Sequence, residues 1–175
     1  MSISAFLEKF KQQTKKEPAS QTETVRKIVA ALDSMEPSRA KYLAAFAYIL
    51  SRVARADMNI SEAETKKMEQ LIVQLSGLPE EQAILVVQIA KSQATLFGGT
   101  ENFLVTAEFS KMASQEEKLS LLRCLFAVAS ADENISNVEE QTIKLIVNEL
   151  YLKHDDFIAA RLAYRDYLSV LKENG

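Results

Sequence analysis

A chain of 175 residues is long enough to bury a core of its own, and 47% hydrophobic with 26% charged residues is the balance of an ordinary globular protein. A formal net charge of −3 argues against a nucleic-acid-binding role, which needs a basic face. One cysteine cannot staple the fold, four glycines and three prolines leave little for a turn-rich β architecture, and the longest apolar run, "LAAFAYIL", falls far short of the roughly 20 residues that span a bilayer.

The N-terminal segment carries no apolar secretory core, so a soluble cytoplasmic protein is expected. "SISAFLEKFKQQTKK" places Ile3, Phe6, Leu7 and Phe10 on one stripe of a short helix, among Lys9, Lys11, Lys15 and Lys16. A basic amphipathic helix can lie on an anionic membrane, which makes residues 1–16 a candidate membrane contact. It can equally dock on its own domain or on a protein partner. "TKKEPASQ" is polar, holds Pro18 and reads as a linker, dividing an arm over residues 1–21 from a domain over 22–175.

From Thr22, the spacing of Val25, Ile28, Val29 and Leu32 predicts a helix that ends near Asp33–Pro37. Pro37 suits the first turn of the next helix, which carries Leu43, Phe46, Ile49, Leu50 and Val53 as far as Ala56. An acidic turn follows. A helix from Ser61 then uses Met68, Leu71, Ile72 and Leu75 until "SGLP", where Gly77 supplies the C-cap and Pro79 opens the next helix. That helix, Pro79 to Leu96, is apolar on more than one face and is expected at the centre of the fold.

Beyond "FGGT" a short helix is expected over Glu101–Ser110. Ser114 then opens "SQEE", a capping box with Glu117, and the helix it starts carries Leu119, Leu122, Cys124, Leu125 and Val128. A second acidic turn leads into a helix from Ser136 with Ile143, Ile146, Val147 and Leu150, and a last helix is expected over Asp155–Lys172. No segment alternates as a strand does. The chain reads as one all-α domain of about eight helices behind the N-terminal arm.

The two acidic turns run Asp57-Met58-Asn59-Ile60-Ser61-Glu62-Ala63-Glu64 and Asp132-Glu133-Asn134-Ile135-Ser136-Asn137-Val138-Glu139, at an offset of 75 (132 − 57 = 75). At that offset Phe46 aligns with Leu121, Leu50 with Leu125, Met68 with Ile143 and Leu71 with Ile146. The pattern predicts an internally duplicated helix–turn–helix unit whose copies cover each other's apolar stripes.

Helix punctuation accounts for most of each turn. Ser61 with Glu64, and Ser136 with Glu139, are S-x-x-E capping boxes; Ile60 and Ile135 can staple them; Asn59 and Asn134 tolerate left-handed backbone. The aspartates are the exception. An acid in the last turn of a helix faces the negative end of the dipole, at a cost of about 0.3–1 kcal/mol. Asp57 and Asp132 must therefore accept turn N–H groups or be neutralised by a cation. The spacing D-x-N-x-S matches positions 1, 3 and 5 of an EF-hand loop, whereas the closing acid comes too early and the loop glycine is missing. The candidate ligands are Asp57, Asn59, Ser61 and Glu64 in the first turn, and Asp132, Glu133, Asn134, Ser136 and Glu139 in the second. They would hold a divalent cation such as calcium, magnesium or zinc. The alternative is a helical protein-interaction module whose turns are purely structural.

With "A-x-A-D-x-x-I-S-x-x-E" written twice between apolar helices, and "HDDFIAARLAYRDYL" closing the chain, the sequence resembles the tellurite-resistance protein B (TerB) family, which includes the TerB-like domains of DnaJ-type membrane co-chaperones. The resemblance spans Ala40–Leu168. It implies a compact helical bacterial domain tied to tellurite and chemical stress, with divalent-cation binding at the matching acids Asp57, Glu64, Asp132 and Glu139. Met58 and Glu133 stand where the family commonly has glycine, so the bend is expected to pass to Asn59 or Asn134. Glu133 also adds a third acid to the second turn and makes it the better cation candidate.

Nothing in the chain calls for catalysis. His154, the only histidine, sits with Asp155 and Asp156 at a helix start and reads as punctuation before it reads as a metal ligand. Cys124 lies on an apolar stripe and is expected to be a buried, unreactive thiol. Arg161, Tyr164 and Arg165 could offer an anion-binding face, but a solvated face pairing with Asp155, Asp156 or Asp166 is the favoured reading. No nucleophile–base motif and no Cys/His cluster is present.

Overall fold

The computed structural model describes residues 3–5, 7–8, 19–54, 61–96, 102–131, 133–168 and 171, with side chains described at all of these except 19–25, 92–96 and 102–103. Its helices are α1 (Ala19–Asp33), α2 (Pro37–Ala54), α3 (Glu62–Leu75), α4 (Glu80–Leu96), α5 (Asn102–Met112), α6 (Gln115–Ala129), α7 (Asn137–Glu149) and α8 (His154–Leu162), followed by a 3-10 turn, Arg165–Tyr167. Residues 3–5 and 7–8 are helical as well. The fold is all-α; among the described residues the only extended pairing is one isolated bridge, Ile135 to Leu168. None of the described helices is long and apolar enough to cross a membrane.

The centre is α2, not the helix from Pro79 to Leu96 that its composition nominated. α2 packs against α1, α4, α5, α6 and α7. From Tyr42 to Ala54 every side chain is buried, Ser51 and Arg52 included. Three small residues, Ala44, Ala45 and Ala47, let neighbours approach from several sides, while Leu43, Phe46, Ile49 and Leu50 fill the space between them. α4 lies against α2, buries Ala83, Val86, Val87 and Ile89 and keeps Gln82 and Gln88 nearer the surface.

Local punctuation follows the sequence closely. At α6, Ser114 Oγ accepts from Glu117 N at 3.2 Å and the Glu117 carboxylate accepts from Ser114 N at 2.9 Å. Gly77 takes φ +72° after the C-cap of α3. α1 begins at Ala19, three residues before the expected start, so the helix takes in residues 19–21 that the sequence assigned to the linker.

Glu117 is more than a cap. Burial pushes its carboxyl up, but the Ser114 amide and hydroxyl, the Tyr42 hydroxyl and the Arg39 charge outweigh that and hold it below the usual range. Tyr42 is correspondingly raised, by burial first and by Glu117 next. Arg39 sits 5.3 Å over the Tyr42 ring and donates to Gln82 Oε1 at 3.0 and 2.6 Å, so this network ties the N-terminal ends of α2, α4 and α6 together.

A second polar link is buried outright. Arg52 Nη1 lies 2.5 Å from Glu149 Oε2, with only 4% and 9% of the two side chains exposed, and it also donates to Thr106 Oγ1 at 2.8 Å. The C-terminal ends of α2 and α7 are thereby joined through α5. Among the described residues the Arg52 Nε–H has no hydrogen-bond acceptor.

The N-terminal stripe is half visible. Ile3 is fully buried in the common core and its N–H points to both Glu108 carboxylate oxygens at 3.3 Å, while Leu7 packs against the same core. Phe6 and Phe10 lie outside the described residues.

The last helix is shorter than its apolar spacing predicts. α8 stops at Leu162, and the chain passes through the 3-10 turn to the bridge at Leu168 instead of continuing to Lys172. Two interactions favour the break over more helix. Tyr164 stacks on Phe126 at 5.8 Å, and the Tyr167 carbonyl accepts from Ile135 N at 2.7 Å.

Candidate functional site

Each acidic turn feeds a helix whose first residues the sequence specifies, and the two helices start differently. At α3 the capping box is complete: Glu64 N donates to Ser61 Oγ at 3.1 Å and Ser61 N donates to the Glu64 carboxylate at 2.8 Å. At α7 only half of the box forms. Glu139 N donates to Ser136 Oγ at 3.1 Å, but the Glu139 carboxylate does not return to the cap. Its residue is turned inward and is 7% exposed, so the second expected box is corrected to a single serine cap.

Ile135 explains the difference. Its side chain is fully buried and its amide is taken by Tyr167, which draws the residue before the cap into the fold. Glu133 and Asn134 stay exposed. Asp57 and Asn59 lie outside the described residues, as does Asp132, so the comparison of the two turns rests on Ser61, Glu64, Glu133, Asn134, Ser136 and Glu139. Among the described residues no three His, Cys, Asp or Glu side chains come together as a metal-holding group.

The bend of the second turn is carried by Glu133, with φ +64°, and not by Asn134. Glu133 N donates to the Ser130 carbonyl at 2.8 Å. A side chain in left-handed backbone ordinarily costs roughly 1–2 kcal/mol, which is why glycine suits the position. Glu133→Gly is therefore expected to stabilise the protein by about 0.5–1 kcal/mol, read as a higher denaturant midpoint. A lower midpoint would mean that the glutamate side chain contributes more than its backbone costs. Tyr151 is the other non-glycine residue with positive φ, at +59°; it follows α7 in a Schellman pattern, with Leu152 N to Val147 O at 3.0 Å and Tyr151 N to Asn148 O at 3.1 Å.

The remaining candidates settle into structural roles. Asp156 caps α8 by accepting from Lys153 N at 2.9 Å, and His154 is exposed at the helix start. Cys124 is fully buried, which pushes its thiol up to about 12. The arginine–tyrosine face is dispersed. Arg161 pairs with Glu140 on α7 at 2.5 Å, not with the aspartates near it in sequence, and Tyr164 is half-buried against Phe126.

Two features escaped the sequence reading. A cleft of about 370 Å³ opens between the end of α3, α6 and α8, walled by Leu75, Leu122, Ala160 and Tyr164 with Arg123 and Asp156 among its lining residues. The outer face of α7 exposes Val138, at 68%, and Leu145 on either side of Gln141 and Thr142. Their i, i+3, i+4, i+7 spacing was legible; what the sequence lacked was any sign that this stripe stays uncovered.

The family model described as "Tellurite resistance protein TerB" matches residues 42–162, more than half of the chain. The chain belongs to the TerB family. The TerB match begins within α2 and ends at the last residue of α8, so it takes in both acidic turns and their helices and leaves out α1 and the segment after α8. No curated protein and no solved structure matches the chain closely enough to add to this.

Proposed function

We propose that this TerB-family protein is a non-enzymatic bacterial stress module whose second acidic turn takes up a divalent cation through Asp132, Glu133, Asn134, Ser136 and Glu139. The observation that carries the reading is the position of Glu139. Its counterpart Glu64 closes a capping box at the surface, whereas the Glu139 residue is buried beside a turn that keeps the left-handed backbone expected of a tight loop. A carboxylate fixed by burial beside the turn is an oxygen donor already held in place for a cation. These donors are all oxygen, while the one histidine is exposed on α8 and the one cysteine is sealed in the core. Calcium or magnesium suits such a set better than zinc.

Calorimetric titration of chelator-stripped protein with calcium, magnesium, manganese and zinc tests this. Saturable binding is expected, abolished by Glu139→Gln and unaffected by Glu64→Gln. Titrations without heat up to millimolar ion would remove the cation and leave the second reading. That reading is a helical module recruiting a protein partner, favoured by the uncovered Val138 and Leu145 of α7 and by Ile158 and Leu162 on α8.

A further inference from the structure

After α8 the backbone takes a course that no helix connection requires. Residues 165–167 make one 3-10 turn, and the chain then runs beside the second acidic turn. The Ile135 amide donates to the Tyr167 carbonyl at 2.7 Å, Ile135 and Leu168 form a parallel bridge, and both of their side chains are fully buried. At the root of this segment Tyr164 stacks on Phe126 with the rings only 11° from parallel, and it meets Tyr167 at 6.3 Å. The segment itself, residues 164–168, lies C-terminal to the residues that match the family, whereas Phe126 and Ile135 lie within them.

Two residues before Ile135 stands Glu133, in the left-handed backbone that a residue with a side chain keeps only when its surroundings over-determine it. The determination comes from both sides. Glu133 N is tied back to Ser130, and Ile135 is pinned forward to the segment after α8. We propose that residues 164–168 are a strap that holds the second acidic turn in its left-handed form, so that turn and strap open and close as one unit. A ligand on the turn then tightens the strap, and a partner that lifts the strap loosens the turn; by linkage the two effects are equal in free energy. The unit stands on the backbone contacts, whereas its response to a cation rests on the function proposed above.

Amide hydrogen exchange on the full chain tests this in the parent, in Leu168→Ala and in the milder Leu168→Val, which carries the comparison if the alanine variant does not fold. Exchange at Ile135 and Glu133 is expected to quicken at least about tenfold in Leu168→Ala, while Ser76 and Ala83, bonded within the first half of the fold, keep parental rates. Unchanged rates at Ile135 and Glu133 overturn the proposal. So does equal acceleration at all four amides, which would make Leu168 an ordinary core residue.

Calcium added to the same samples separates the two readings. Slower exchange at both Ile135 and Leu168 in the parent, lost in Leu168→Ala, supports strap and cation together. Slowing confined to the turn overturns the coupling. No slowing at any amide, with the local acceleration in Leu168→Ala intact, upholds the strap and removes the cation.

Discussion

Replacing Arg52 by methionine is expected to cost about 3–5 kcal/mol of stability, because it leaves the Glu149 carboxylate buried without its cation. The magnitude follows from where the pair sits. Its members join the ends of α2 and α7 across α5, and with 4% and 9% of the side chains exposed, water cannot replace the lost partner. Replacing both residues, Arg52→Met with Glu149→Leu, is expected to recover most of that loss, since a buried ion pair is often no better than well-packed apolar residues of similar volume. Denaturant unfolding of the two single variants and the double variant gives the coupling energy directly. Additive losses would mean that the two side chains act independently.

Phe126→Ala is the second large effect, about 3–5 kcal/mol, or roughly 6–20 °C in melting temperature for a chain of this size. Phe126 is fully buried on α6, with ring contacts to Phe157 of α8 at 5.7 Å and to Tyr164 at 5.8 Å. Its truncation removes the surface on which both α8 and the strap are laid. Thermal unfolding followed by circular dichroism is the measurement. A loss under 1 kcal/mol would mean that α8 and the strap are held elsewhere.

What the sequence revealed was what is settled within a few residues. The boxes at Ser61 and Ser114, the glycine after α3 and the proline opening α2 depend on bonds spanning three or four positions, and each appears where the residue types placed it. What it concealed was decided by distant partners. Arg52 and Glu149 are 97 residues apart and nothing in either neighbourhood announces the other. α4 is apolar on more than one face, yet α2 became the hub because its alanines admit neighbours from several sides.

The site was legible to a similar depth. Residue types selected both acidic turns, and the family match contains both. The departures came from the tertiary fold. Glu139 left its cap and Glu133 took the left-handed bend in place of Asn134, because Ile135 is drawn towards Tyr167 and Leu168. No pattern of neighbours predicts that pull. The early end of α8 has the same origin, since a helix continued to Lys172 would give up the Ile135–Tyr167 bond.

The central claim is that the second acidic turn, and not the first, answers to a divalent cation. Backbone amide chemical shifts recorded while calcium is added to chelator-stripped protein test it most directly. Saturable shifts are expected at Glu133, Asn134, Ser136 and Glu139, with Ser61 and Glu64 unmoved. Shifts centred on Ser61 and Glu64, or no saturable shift at either turn, would contradict it.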